Sequence, residues 1–431
     1  KNHYYFEKGR AFFTRSKSLL YKEKTRKSIL VEIFTALDKE NYINFLKAIL
    51  KLHERKLEPG ADINSINGEI ITIQEKINEI YASYAEDILV STVPNNYIEY
   101  FMNGNDIYVI AELGEKEEFV KLGEGLKFNE LYIRLSEYIL SKGYSADDSI
   151  THDMYTFLVK PIINKCPQNV VIIPDESIGY VPFEMLSYDD GSFLIESTSI
   201  SYSFEYHSQS IYKSSDVKKM EIYCLAPTYK KKETKPVAVS RGSVYNLPYA
   251  QMEVDSIKAL YGESAILSKS GNKESWEIDV SRAEIFHYAG HAIIGDEEAY
   301  LALNDNNDMM EQLTANEISL MYHPLNLVVL SACETGLGKL EHGEGIRSLG
   351  RSFMESGSEA TVISLWNVND KSTADLMLVF YKLLKQGLSK DESLRQSKLD
   401  FIKKAKGLYK HPYYWAAFIP AGKMSAVTTK N

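Results

Sequence analysis

Apolar positions change their period twice along the chain. Up to about residue 90 they recur every three or four residues, as in Ile29, Ile33, Leu37 and in Ile63, Ile66, Ile70, Ile73, Ile77, Ile80. That spacing predicts helices with one apolar stripe. Glu58-Pro59-Gly60 interrupts the pattern and separates two helical blocks. No repeat at the ~34-residue period of helical arrays stands out, so a helical hairpin packed on the next domain is expected, with the tail of a longer array as the alternative. From residue 97 the period drops to two. Tyr97 to Phe101 and Ile107 to Ala111, joined by Asn103-Gly104-Asn105, read as a β-hairpin. Helical spacing returns over 128–141 and 151–165.

From residue 168 short apolar runs alternate with amphipathic stretches. The runs are Val170 to Pro174, Ile222 to Ala226, Ala283 to Tyr288, Asn326 to Leu330 and Ala360 to Trp366. Helices are expected near 250–261, 314–321, 344–356, 371–386 and 391–405. Strands apolar on both faces and separated by helices predict a largely parallel sheet covered on both sides, an α/β fold. The expected organisation is a helical region at 1–92, a hairpin with helices as a connecting part at 93–167, and the α/β domain at 168–424. Residues 227–246, with Lys230-Lys231-Lys232, read as an exposed loop.

Bulk numbers narrow the function. The chain is 44% hydrophobic and 25% charged, ordinary for a globular protein of 431 residues. A net charge of −10 argues against a general nucleic-acid binder. No apolar run approaches the ~18 residues of a membrane span. The first residue is Lys1 rather than Met, so the lack of a signal peptide settles nothing about targeting. Cys166, Cys224 and Cys333 are too few and too scattered for a disulfide framework or a zinc site. A reducing, cytoplasmic setting is expected, with one thiol as a candidate reactive group.

In an open parallel sheet, ligands bind beyond the carboxyl ends of the strands. The third run leads into Phe286-His287-Tyr288-Ala289-Gly290-His291-Ala292, and the fourth into Ser331-Ala332-Cys333. If these strands are neighbours, His291 and Cys333 project from one edge. The chain between them has room for one hairpin, one helix and the return strand. A free thiol has a pKa near ~8.5. A nearby imidazole can take its proton and later hand it to a leaving amine. Gly290, Ala292, Ala332 and Gly336 leave backbone N–H groups accessible. The amides of Ala292 and Cys333 are the natural donors to a developing oxyanion.

Other candidates are weaker. His287 reads as support for the site or the sheet, His342 as exposed, and His411, before Pro412, as structural. The loop Gly336 to Gly345 lacks the Gly-Lys-Ser/Thr of a phosphate loop and the spacing of a dinucleotide fingerprint. No G-x-S-x-G or H-E-x-x-H occurs. Asp370 reads as a helix N-cap or as an acid lining a substrate pocket that prefers lysine or arginine; Glu334 is a second candidate for that pocket.

These residues resemble the CHAT domain, a caspase-like cysteine peptidase module often attached to tetratricopeptide repeats. The resemblance is carried by Pro174-Asp175, by Val181-Pro182-Phe183-Glu184-Met185-Leu186 and by Leu247-Pro248-Tyr249-Ala250. It continues through HYAGHA, LSACETG, Gly343-Glu344-Gly345-Ile346, ISLWNVND and His411 to Phe418. Upstream, NDIYVIAELG is similar to the segment that commonly precedes the domain. The resemblance implies a caspase-like fold, a His–Cys dyad at His291 and Cys333, and peptide-bond hydrolysis without metal or organic cofactor. It also implies a protein substrate, activation by a protein or ligand partner, and an association with bacterial defence. Ala292 departs from a commoner glycine, which preserves the backbone N–H. The expectation is therefore a cysteine endopeptidase. A non-catalytic scaffold of the same fold is the alternative, and another acyl-transfer enzyme with the same dyad is the weaker third.

Overall fold

The computed structural model describes residues 36–427, apart from 57–60, 84–94, 145–146, 205–220, 230–245, 269–270, 296–297, 305–309, 333–334, 337, 342–344 and 368–369. Two helices open the described chain, α1 (Ala36–Lys56) and α2 (Ile63–Ser83). Their isoleucine stripe does what its period predicts. Ile49, Leu52, Ile66, Ile70 and Ile77 are buried, while Tyr42 and Leu46 pack toward Leu320 and Tyr322 of the α/β region. Lys47 adds an ion pair to Glu277 at 3.1 Å. That pair is half exposed and contributes little, so apolar burial carries the docking.

The expected hairpin is the first part of a three-stranded meander: β1 (Asn96–Asn103), β2 (Asp106–Leu113) and β3 (Lys116–Glu124). Gly104 turns the first corner at φ +62°, a left-handed conformation that glycine adopts without a Cβ penalty. The pattern concealed β3 because it is the outermost strand of the sheet and is mostly charged, as edge strands commonly are. Helices α3 (Gly125–Leu140) and α4 (Ser149–Leu158) follow. Then come β4 (Asn169–Ile173), a short α5 (Leu194–Ser197) and β5 (Ser199–Tyr202).

The second part alternates more regularly. It runs β6 (Ile222–Leu225), α6 (Pro248–Tyr261), β7 (Ala265–Ser268), α7 (Lys273–Val280) and β8 (Ile285–Gly290). A small sheet of β9 (Ala292–Ile294), β10 (Ala299–Asn304) and β11 (Met310–Thr314) leads to α8 (Ala315–Leu320) and β12 (Leu327–Ala332). The hairpin β13 (Gly338–Glu341) and β14 (Gly345–Ser348) enters α9 (Leu349–Glu355) and β15 (Ala360–Ser364). The chain closes with α10 (Asp370–Lys385), α11 (Lys390–Lys404) and β16 (Phe418–Gly422).

Eleven strands make one sheet in the order β3-β2-β1-β4-β5-β16-β15-β12-β8-β6-β7. β1, β4, β5 and β16 run parallel to one another, and so do β15, β12, β8, β6 and β7. The two sets meet antiparallel at β15 and β16. The expected α/β class, a largely parallel sheet with helices on both faces, is thus the class observed. Because β1 pairs with β4, the strands of 96–124 belong to the same sheet as those after 168. Strand β8 shows how both faces are filled. Phe286 packs against Trp276 of α7 and Phe353 of α9. His287, pointing to the other face, meets Glu253 of α6 and Tyr381 of α10. Among the described residues no helix is long and apolar enough to cross a membrane.

Candidate active site

The strands of the second set lie in the order β7-β6-β8-β12-β15. Counted along the chain this is 2-1-3-4-5, with the reversal between β6 and β8. Open α/β sheets bind ligands at the carboxyl ends of strands near such a switch. The tips of β8 and β12 lie on that carboxyl edge, beside the switch.

β8 and β12 are parallel neighbours over their whole length, and their last residues, Gly290 and Ala332, are register partners. His291 is the next residue after one tip, half-buried. Cys333 is the next residue after the other in sequence; it lies outside the described residues, as does Glu334. Ala292 opens β9, so the predicted oxyanion donor is the first residue of a strand. Asp370 is the first residue of α10. The chain between the two tips holds β9, β10, β11 and α8, one strand more than the hairpin and helix expected.

The backbone of His291 is held from two sides. Its carbonyl accepts the N–H of Ala302 at 2.9 Å and the hydroxyl of Tyr288 at 2.9 Å. Tyr288 Oη also lies 2.7 Å from the carbonyl of Ala302, which accepts the hydroxyl of Tyr229 at 2.6 Å. One assignment satisfies every group: Tyr229 donates to Ala302, and Tyr288 donates to His291. Burial pushes both phenols up in pKa, so both remain protonated donors. Tyr229 follows β6 across the switch crevice, and its ring centroid lies 6.2 Å from that of His291. Tyr288 folds back beneath Gly290, where an added Cβ would stand 2.6 Å from Tyr288 Oη. Only glycine fits there.

The other tip is held as firmly. Ser364 Oγ at the end of β15 donates to the carbonyl of Ala332. Thr335 Oγ1, fully buried, accepts the N–H of Ser364 at 2.9 Å. Gly336 N–H donates to the carbonyl of Ser364 at 2.7 Å. A Cβ at Gly336 would be crowded, with Leu365 Cδ2 and Ser364 O each 3.1 Å from its position. The residues immediately before and after 333–334 are thus stitched to β15.

Sequence reasoning missed Tyr229, Tyr288, Thr335 and Ser364. Tyr288, Thr335 and Ser364 lie inside the motifs that were read, but a phenol or hydroxyl bonded to a backbone group leaves no periodic signal. Two readings sharpen. His287 is wholly buried, 3.0 Å from Tyr381 Oη through Nδ1 and 3.0 Å from Glu253 Oε1 through Nε2, the latter out of line for a hydrogen bond. It belongs to the sheet's interior. His411 accepts the N–H of Tyr413 on Nδ1 and packs on Tyr138 at 4.4 Å, and burial pulls its pKa down to about 4. It is structural, as read. His342 lies outside the described residues.

Among the described residues no group of three or more His, Cys, Asp or Glu could hold a metal. Two clefts elsewhere exclude His291: one of about 290 Å³ between α1 and α7, and one of about 600 Å³ between α10 and α11. Neither bears on the chemistry of the strand tips.

Residues 150–423 match the family described as CHAT domain. Human tetratricopeptide repeat protein 28 is 28% identical over 110 residues, covering 26% of this chain and 4% of that protein. The mouse protein of the same name is 23% identical over 212 residues, covering 41% of this chain and 8% of its own length. The chain therefore spans a small fraction of these curated relatives. Similar solved structures include the Saccharomyces cerevisiae separase–securin complex, at 14% identity and a TM-score of 0.40, covering 59% of this chain and 15% of that one. The Porphyromonas gingivalis RgpB pro- and mature domains match at 11% identity and a TM-score of 0.41, covering 66% and 70%.

Proposed function

The chain belongs to the CHAT domain family, and from that premise we propose that it is a cysteine endopeptidase acting on a partner protein through His291 and Cys333. The observation that supports this best is the register of Gly290 with Ala332, which makes His291 and Cys333 the residues that follow two paired strand ends.

In this reading the imidazole of His291 takes the proton from Cys333 Sγ, and the sulfur attacks the scissile carbonyl. A C–S bond forms, and the carbonyl oxygen becomes an oxyanion that the N–H groups of Ala292 and Cys333 receive. As the C–N bond breaks, His291 returns the proton to the leaving amine. Water, deprotonated by the same imidazole, then hydrolyses the thioester and restores the thiol. The Tyr288 and Ala302 bonds to the His291 carbonyl support the imidazole's placement. Glu334 and Asp370 are proposed to favour a basic residue beside the cleaved bond. Cytoplasmic residence and control by an activator complete the proposal.

Purified wild type and the Cys333→Ala and His291→Ala forms, incubated with proteins encoded beside this chain, test it. Mass spectrometry should find new termini with wild type only, each variant losing at least ~10³-fold in rate, as loss of a nucleophile or its base does. Cleavage by the Cys333→Ala form sinks the reading. Failure of a thiol-reactive peptide probe to label Cys333 under every activating condition would leave a scaffold of the same fold. A transferred acyl group in place of hydrolysed ends would make the protein an acyltransferase.

A further inference from the structure

α10 carries a second apolar stripe, where a helix lying on a sheet needs one. Leu376, Met377, Phe380, Tyr381 and Leu384 are buried in the core. Leu378 and Val379 are only half-buried and line the cleft of about 600 Å³ between α10 and α11. The short turn 386–389 returns the chain into α11, so the two helices run antiparallel, side by side. α11 adds Phe401 to the cleft, also half-buried, and the segment after it adds Tyr409, which is 48% exposed. These four side chains make an apolar floor. The volume lies within the roughly 300–1,000 Å³ that ligand sites occupy.

The rim is basic. Lys371, Lys382, Lys404 and Lys406 line the cleft, with Asp375 and Asp400 against them. Lys404 and Asp400 answer each other at 2.6 Å. Lys371, Lys382 and Lys406 are exposed and form no ion pair among the described residues. A chain whose net charge is −10 thus sets a positive surplus around an open apolar surface. Lys371 and Lys382 stand about three helical turns apart, about 16 Å along the axis, so cations mark both ends of the floor. The Lys371 end adjoins the turn that leaves β15. Tyr413 Oη donates to Asn367 O at 2.7 Å, and Trp366 Nε1 donates to Tyr413 O at 3.0 Å. Those bonds tie the segment bearing Tyr409 to that turn.

We propose that this groove docks an acidic amphipathic helix of a partner protein. Its apolar residues, spaced as i, i+3, i+4 and i+7, meet Leu378, Val379, Phe401 and Tyr409. Its carboxylates, one or more at each end, meet Lys371, Lys382 and Lys406. A helix of about eleven residues spans the two end cations. Burial on the floor supplies the affinity, and the charged rim selects the partner. A nucleic-acid backbone suits the groove less, because its phosphates would meet Asp375 and its sugars an apolar floor. The docking stands without the peptidase reading; combined with it, the bound partner sits beside the carboxyl end of β15, next to the strand tips.

The test uses the full chain as Cys333→Ala, so that no probe is cut, and a displayed library of random peptides about 16 residues long. Selected peptides should carry Asp or Glu on both sides of apolar residues at helical spacing. The best of them, labelled with fluorescein, should bind the Lys371→Glu/Lys382→Glu double form about tenfold more weakly or worse. Both changes fall on exposed side chains, where substitution rarely disturbs folding. Exchanging the peptide's acids for lysines should restore binding to the double form and abolish it with the parent. No enrichment, enrichment of neutral or basic peptides, or equal binding by the double form overturns the proposal. Tighter binding of a single-stranded oligonucleotide than of the peptide overturns it as well. Because the readout is binding alone, a wild type that fails to cleave removes the peptidase and leaves the groove.

Discussion

The two parallel sets of strands face the same physical demands and end differently. In the first set, the tip of β4 leads into Pro174-Asp175, and the Asp175 carboxylate accepts the N–H of Met102 at 2.9 Å. Nearby, Glu184 lies wholly inside, paired with Lys398 at 3.0 Å and accepting the Tyr202 hydroxyl at 2.7 Å. Each polar group there is answered by the protein itself. In the second set, β8 and β12 end in glycine and alanine, and the polar bonds around them go to backbone carbonyls and amides. Those bonds hold the chain and leave the side chain of residue 291 half-exposed. A parallel sheet does not by itself make a site. What distinguishes the tips of β8 and β12 is that the bonds holding them reach backbone groups, where those of the first set also join buried charged side chains.

The comparison breaks most visibly if the buried pair of the first set is cut. Lys398 is 1% exposed and Glu184 is 2% exposed. Burial pulls the Lys398 ammonium below its usual pKa, with Glu184 opposing that shift. Removing one partner strands the other in the interior, which costs about 3–5 kcal/mol. Lys398→Ala should lower the stability read from urea unfolding by that amount, with Lys398→Met losing less. A change below about 1 kcal/mol would show that Glu184 finds water or another donor, and that the first set is less closed than it looks. By contrast, His291→Ala should unfold within about 1 kcal/mol of wild type, since a half-buried side chain at a strand tip carries little stability.

Acid sharpens the same contrast. Burial pulls His323 down to about 3 and His411 down to about 4. Both folded values lie below the ~6.5 of an unfolded histidine. Below that pH the unfolded chain binds protons that the folded one refuses. The stability contribution is whole above pH 6.5 and is lost as pH falls toward 4 and then 3. His323 packs edge-on against Trp276 at 5.0 Å and should account for about 3 kcal/mol of the loss between pH 6.5 and 4. Urea midpoints across that range measure it. His323→Phe should flatten most of the slope; an unchanged slope would locate the acid sensitivity elsewhere.

How far the sequence could be read follows from which forces leave a pattern. Burial does, and so the strand runs at 170, 222, 285, 327 and 360 and most helices between them stand where their periods put them, while the helix expected over 344–356 is cut to Leu349–Glu355 by the strand Gly345–Ser348. Chain order at a strand's carboxyl end also does, which is why His291 was legible from HYAGHA. Strands held by their neighbours did not show. β3 is too charged, and β16 carries Pro420, tolerated where its ladder to β5 is a single pair, Ala421 with Tyr202. The motif glutamate Glu184 could be quoted for a resemblance but not placed, because its partner Lys398 lies far along the chain. Tyr229 was invisible for the same reason: its bond to Ala302 joins the segment after β6 to the middle of β10.

Thr335 offers the finest cut, because it holds the second set's tip and is not itself a member of the proposed dyad. Its hydroxyl is the acceptor for Ser364 N–H at 2.9 Å and is fully buried. Thr335→Val keeps the shape and leaves that N–H unanswered, a cost of about 1–3 kcal/mol. If the stitch only stabilises the sheet, unfolding shifts by that amount and turnover of the folded protein does not change. If it also fixes the turn that carries Cys333, turnover falls about tenfold, because small displacements of a nucleophile are expensive. The expected result is the second. Thr335→Ser, which retains the hydroxyl, should recover both stability and turnover. Recovery of stability alone would show that the methyl group, packed against its neighbours, sets the turn instead of the hydrogen bond.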